Sequence, residues 1–210
     1  LDGTVQAFLD KSVDEVNAKY VWNLLDGQSR SVTGHGIRIA IIDTGVDYTH
    51  PDLGGCFGPS CKVIGGWNFI SNTANPMDDQ GHGTHVAATA AGKAPAAPAI
   101  GIDGVAPDAK IVACKVLDSR GSGDWSSVIG GIEFATDPNR DGNPADHVDV
   151  ANMSLGGGGN PDDPVALAVD KSVAAGVVHV IAAGNSGPTP STVGSPGVAR
   201  TAITVAAACA

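Results

Sequence analysis

No stretch of this 210-residue sequence is apolar for long enough to cross a bilayer. The longest strongly apolar run, Ala174 to Ala183, falls far short of the roughly 20 residues a spanning helix needs, and it carries His179 within it. Basic residues are scarce. Twelve Lys and Arg stand against 22 Asp and Glu, a formal net charge of −10, which repels phosphate backbones and anionic lipid and argues against nucleic acid or a membrane surface as partner. The sequence has no internal repeat, low-complexity tail or linker, so it reads as one domain over 1–210. Cysteines number four, and no second Cys pair or suitably spaced His completes a four-ligand metal set around Cys56 and Cys61. Neither an initiator Met nor a basic-then-apolar leader opens the chain. A processed start is therefore expected, with residues 1–11 a pro-region remnant or N-terminal extension.

What is present supports a packed domain: 42% of the residues are hydrophobic, enough for one core. Cys56 and Cys61 stand five apart in a Gly/Pro-rich loop, a spacing that predicts a disulfide and with it an oxidising, extracellular compartment. Cys114 lies inside an apolar run and is expected to be a free buried thiol, while Cys209 is left without assignment. Ile37 to Ile42 is nearly continuous in apolar residues, as in a strand buried on both faces of a parallel sheet. Further strands are expected at Lys62 to Ile64, Lys110 to Leu117, Val148 to Met153, Val177 to Ala182 and Ala202 to Ala207. Helices are expected at Trp125 to Ala135 and at Pro164 to Ala175, the second bracketed by Pro164 and Gly176. A short N-terminal helix is also expected, from the Ser12-x-x-Glu15 capping box and the spacing of Val16, Tyr20 and Leu24. Strand–helix alternation places the chain in the α/β class.

The chemistry gathers around Asp78 to Gly92. Gly81 and Gly83 bracket His82, and from Thr84 onward small and apolar residues run to Gly92. His82 thus starts a helix, where the positive end of the dipole favours the neutral, proton-accepting ring that a general base needs. Asp43 ends the Ile37 to Ile42 run, and the crevice beyond strand carboxyl ends is where α/β sheets bind ligands. Asp43-Thr44-Gly45 with the residues to Leu53, Gly81-His82-Gly83-Thr84-His85-Val86-Ala87, and Ala182-Ala183-Gly184-Asn185-Ser186-Gly187-Pro188 resemble the three motifs of the subtilisin-like serine proteases, in that family's order.

The resemblance covers almost the whole chain and implies a three-layer fold: a mainly parallel central sheet flanked by helices, with its C-terminal part missing. It implies a serine endopeptidase in which Asp43 orients His82 and Asn185 donates to the oxyanion. It also implies that Gly121-Ser122-Gly123 and Ser154-Leu155-Gly156 clasp an extended protein or peptide substrate. Gly194 would then floor a deep pocket suited to large apolar side chains. The family's nucleophile motif is absent: no Gly-Thr-Ser and no Gly-x-Ser-x-Gly occurs here. The 210 residues are therefore expected to be inactive alone, with the Ser segment a missing C-terminal partner. A noncatalytic protein-binding module on the same fold is the alternative, weakened by retention of Asp43, His82 and Asn185.

Asp137, Asn139 and Asp141 open a loop of Asp-x-Asn-x-Asp-Gly form, the start of a calcium site, but Val148 occupies the twelfth position where a Glu is needed, leaving Asp146 or Asp149 to complete it. Lys93 to Pro98, where the family carries another calcium loop, offers no side-chain oxygens. The loop is read either as a calcium site or as an acidic solvated turn, and no organic cofactor is expected. His82 and His85 are three apart without an intervening Glu, unlike a zinc peptidase helix, and Gly156 to Gly159 is followed by Asn160-Pro161, unlike a dinucleotide loop.

Overall fold

The structure, a computed structural model, describes residues 13–94 and 103–207. Six strands, β1 Arg38–Asp43, β2 Val63–Asn68, β3 Lys110–Lys115, β4 Val150–Met153, β5 Val178–Ala182 and β6 Ile203–Val205, form one sheet in the order β2-β3-β1-β4-β5-β6. Every pairing is parallel. β1 is central because its side chains are buried from Ile39 to Asp43, as its unbroken apolar sequence requires. Alternate residues serve opposite faces. Ile39 and Ile41 join Val46, Leu53, Ala87 and Ala91 in one cluster. Ala40 and Ile42 join Val128, Ile132, Val165 and Val169 in another.

Helix α2, His82–Ala91, covers the first face, and helices α3, Trp125–Thr136, and α4, Pro164–Ala174, lie side by side on the second. The result is the three-layer arrangement expected. α2 can lie close because its face to the sheet is nearly bare: a Cβ at Gly83 would stand 2.2 Å from the carbonyl oxygen of Gly45. α4 begins at Pro164, with Asp163 Oδ1 accepting from the N–H groups of Val165 and Ala166. It ends at Ala174, with Gly176 at φ +118° leading the chain into β5.

Three local expectations need correction. β2 runs on to Asn68 rather than stopping at Ile64, because Gly66 lets it lie against β3: a Cβ there would meet the Ala113 carbonyl oxygen at 2.1 Å. The strands expected at Lys110 to Leu117 and Ala202 to Ala207 are shorter, since their flanking residues turn away from the ladder. The N-terminal helix is broken: residues 13–15 are helical, Asn17 at φ 57° is left-handed, and α1 is Ala18–Trp22. Val16, Tyr20 and Leu24 are 61%, 68% and 45% exposed and make no core stripe. The capping Ser12 and Cys209 lie outside the described residues, as do positions 95–98 of the Lys93 to Pro98 segment. Cys56 and Cys61 are joined by a disulfide, their Cα atoms 5.7 Å apart. Cys114 is free and fully buried, and burial pushes its thiol pKa up to about 12, which leaves it unreactive.

Candidate active site

Because all six strands run the same way, the carboxyl ends of β1, β3, β4 and β5 share one edge of the sheet. Asp43, the last residue of β1, is wholly buried there. Its Oδ1 accepts from the Thr44 N–H at 2.7 Å and faces His82 Nδ1 at 2.7 Å. A carboxylate only accepts, so Nδ1 carries a proton, and in the neutral ring Nε2 keeps a lone pair. The ring is 47% exposed and lines the cleft. Burial raises the Asp43 pKa, and the hydrogen bonds from His82 and Thr44 oppose that only in part. Asp43 Oδ2 is buried without a partner among the described residues.

The His82 loop is held by a residue that the motif reading did not single out. Asp78 Oδ1 accepts from the Thr44 hydroxyl at 2.9 Å and from the Gln80 and Gly81 N–H groups at 3.0 Å each. Its Oδ2 accepts from the Thr84 N–H at 2.9 Å and from the Thr84 hydroxyl. Partial burial alone would raise its pKa, but these donors outweigh it and hold the carboxyl below the usual range. Thr44 completes the tie, since its oxygen accepts from the Gly83 N–H at 2.9 Å. Two elements 39 residues apart in sequence, the end of β1 and the start of α2, are thereby fixed together. The signal was an Asp just before a Gly-containing turn, which sequence alone reads as any Asx turn.

A cleft of about 610 Å³ opens in front of His82 and is lined by Gly121, Ser122 and Gly123 on one side and by Ser154, Leu155, Gly156 and Asn185 on the other. Gln80, Arg120 and Trp125, none anticipated, also line it. A second pocket of about 530 Å³ shares Ser154, Leu155, Gly156 and Asn185 and is walled by Gly157 to Gly159 and by Ser191 to Gly194. Its two walls are joined by a bridge in which Gly157 and Ser195 exchange N–H···O bonds of 2.9 Å. A Cβ at Gly194 would stand 2.3 Å from the Gly157 carbonyl oxygen, so only glycine lets the walls meet. The residues expected around the chemistry thus converge on adjoining cavities.

The loop of Asp137, Asn139 and Asp141 lies elsewhere, at the exposed end of α3, and lines neither cavity. Asp137 accepts from the N–H groups of Asp141 and Gly142, Asn139 from Asp141, and Asp141 from Asn143. Of the two residues that could complete a cation shell, Asp149 is committed to the Arg38 N–H at 2.7 Å, whereas Asp146 Oδ1 is buried without a partner among the described residues. No group of three or more His, Cys, Asp or Glu suited to a metal occurs among the described residues.

The sequence pattern of the Subtilase family matches residues 34–209. The chain is 39% identical over 212 residues to the serine protease AprX of Bacillus subtilis (strain 168), covering 99% of this chain and 45% of that protein. It is 44% identical over 184 residues to Subtilisin E of the same organism, covering 85% and 42%. Among solved structures it resembles a cold adapted subtilisin-like serine proteinase, with TM-score 0.67 and 35% identity over 87% of this chain and 59% of that one. It also resembles Sphericase, with TM-score 0.70 and 36% identity over 90% and 59%. The chain spans about half the length of these relatives. Its parallel six-stranded sheet, its layers and these likenesses agree that the chain belongs to the subtilase family.

Proposed function

We propose that these residues are the acid, base and oxyanion-binding part of a serine endopeptidase. The observation that carries the reading is the 2.7 Å contact between buried Asp43 and His82 at the head of the cleft. Asp43 fixes the Nδ1–H tautomer, so Nε2 takes the proton of an attacking hydroxyl and returns it to the leaving amine. Asn185, lining the same cleft, presents its amide to the tetrahedral oxyanion, a donor worth roughly 2.7–4 kcal/mol as measured in subtilisin. Protein substrate lies extended between Gly121–Gly123 and Ser154–Gly156, read chiefly through its backbone. Its large apolar side chain enters the pocket beside Gly194. The nucleophilic Ser is assigned to none of these 210 residues.

An organophosphonate serine probe tests this. The 210-residue chain alone should not label. Supplying a segment that bears the nucleophile should restore labelling, and Asp43→Ala or His82→Ala should abolish it. Labelling of the chain alone would overturn the assignment. Protein binding with no labelling under any complementation would favour a noncatalytic module instead.

Secretion is part of the same reading, supported by the Cys56–Cys61 disulfide and by 41% identity to the minor extracellular protease Vpr of Bacillus subtilis. Neither nucleic acid nor membrane is a partner in this reading, which rests on the excess of acidic side chains. Calcium in the Asp137–Asp141 loop rests on the Asp-x-Asn-x-Asp-Gly sequence alone, since no group of three or more His, Cys, Asp or Glu suited to a metal occurs among the described residues. Calcium should release or absorb heat on titration and raise the melting temperature, and Asp137→Ala should cancel both; a silent titration leaves only a solvated turn.

A further inference from the structure

Lys115, the last residue of β3, is 3% exposed, and all three protons of its ammonium are committed. They go to the Thr44 carbonyl oxygen at 2.6 Å, the Leu117 carbonyl oxygen at 2.9 Å and Asp79 Oδ1 at 2.6 Å. The three acceptors belong to three different parts of the site. Thr44 follows the acid, Leu117 leads into Gly121–Gly123, and Asp79 lies three residues before His82. Thr44 and Leu117 themselves line the cleft.

The need for a cation here follows from the sheet. β1 and β3 pair as far as Asp43 opposite Lys115. The ladder then runs out, because the Asp43 carbonyl oxygen takes both the Val116 and Leu117 N–H groups, at 2.8 and 3.2 Å. Beyond that point the strands diverge to form the cleft, and their next carbonyls would be buried without donors. The Lys115 side chain follows Ile111 and Ala113 onto the α2 face, the face on which Asp43 follows Ile39 and Ile41. It reaches past the ladder's end and supplies the missing donors. Its charge is balanced by Asp79, half exposed at 54%, on the loop that bears the base. A methionine side chain of similar length would satisfy none of the three acceptors, whereas an ammonium supplies three donors in diverging directions.

We infer that Lys115 is a positioning residue that pins the acid turn, the substrate-binding edge and the His82 loop to one another, holding Asp43 and His82 in register. The inference rests on reading Asp43 and His82 as the reacting pair, but its test does not require turnover. In the 210-residue chain, exchange of the His82 Nδ1–H with water, followed by NMR, reports how firmly that proton is held on Asp43. In the unmodified chain exchange should be slow. Lys115→Met, which keeps the bulk and removes the donors, should accelerate it by about 10-fold or more while amide protection in β4 and β5 stays unchanged. Asp79→Ala, at an exposed position that leaves both carbonyl contacts intact, should accelerate it by about 3-fold. Should Lys115→Met fail to fold, the Asp79→Ala result alone decides. Nδ1–H exchange that is already free in the unmodified chain, that is unchanged in the variants, or that rises in parallel with amides throughout the sheet would overturn the inference. Failure of probe labelling on complementation, with this exchange pattern intact, would instead count against the peptidase reading alone.

Discussion

His179 is 1% exposed in β5, and its hydrogen bonds have one consistent direction. The Thr136 hydroxyl donates to the Ile132 carbonyl at 2.7 Å, so its oxygen accepts from the Ser172 hydroxyl at 2.6 Å. Ser172 in turn accepts from His179 Nε2–H at 2.7 Å, which leaves Nδ1 unprotonated, buried and without a partner among the described residues. Burial lowers the imidazole pKa from 6.5 to about 4. Below its ordinary pKa the unfolded chain takes up a proton that the folded chain refuses, so stability contributed by this group is complete above pH 6.5 and is lost as pH falls toward 4. The expected loss is roughly 3 kcal/mol. Urea unfolding at pH 7, 5.5 and 4 measures it, and His179→Leu should flatten the dependence; an equal slope in the variant would show that other groups carry it. Sequence marks His179 only as a polar interruption of an apolar run. Its partners lie 7 and 43 positions away, beyond any local pattern.

At the scale of elements, α2 and β1 are matched by what they leave out. A Cβ at Gly83 would meet the Gly45 carbonyl oxygen at 2.2 Å and Asp43 Cβ at 3.1 Å, both backbone or rigid neighbours unable to yield. Gly83→Ala should therefore push the start of α2 off the sheet, destabilising the fold by roughly 1–3 kcal/mol and lengthening the Asp43–His82 contact. An unfolding midpoint and an Nδ1–H resonance both unchanged from the parent would refute this. The extents of β1, α3 and α4 were legible to within a residue or two, because apolar periodicity and Pro or Gly punctuation carry them. The N-terminal helix was not, because capping and spacing cannot register the left-handed turn at Asn17 or the exposure of the stripe it was meant to bury.

The 210-residue chain is acidic, and among its described residues one edge of the sheet is exposed. Ile203, Thr204 and Val205 of β6 are all exposed, Ile203 at 55% and Val205 at 54%, and no further strand pairs with β6 among the described residues. An apolar edge strand with open N–H and C=O groups is a template for association. The 210-residue chain should self-associate with rising concentration despite its net charge of −10, and Val205→Lys should raise the onset concentration in light scattering. Monodisperse parent protein over the whole range would remove the edge as a source of association.

By itself the sequence determined the class of the fold and the order of its strands and helices along the chain, and it singled out Asp43, His82 and Asn185 as the candidate residues. These follow from apolar periodicity, from the turn chemistry of Gly and Pro, and from short motifs whose residues are neighbours in the chain. Only the tertiary structure decided how those motifs are held. Asp78 with Thr44, and Lys115 with Asp79, act between segments 34 to 71 residues apart, where no sequence period reaches and where burial alone determines that every donor must find its acceptor.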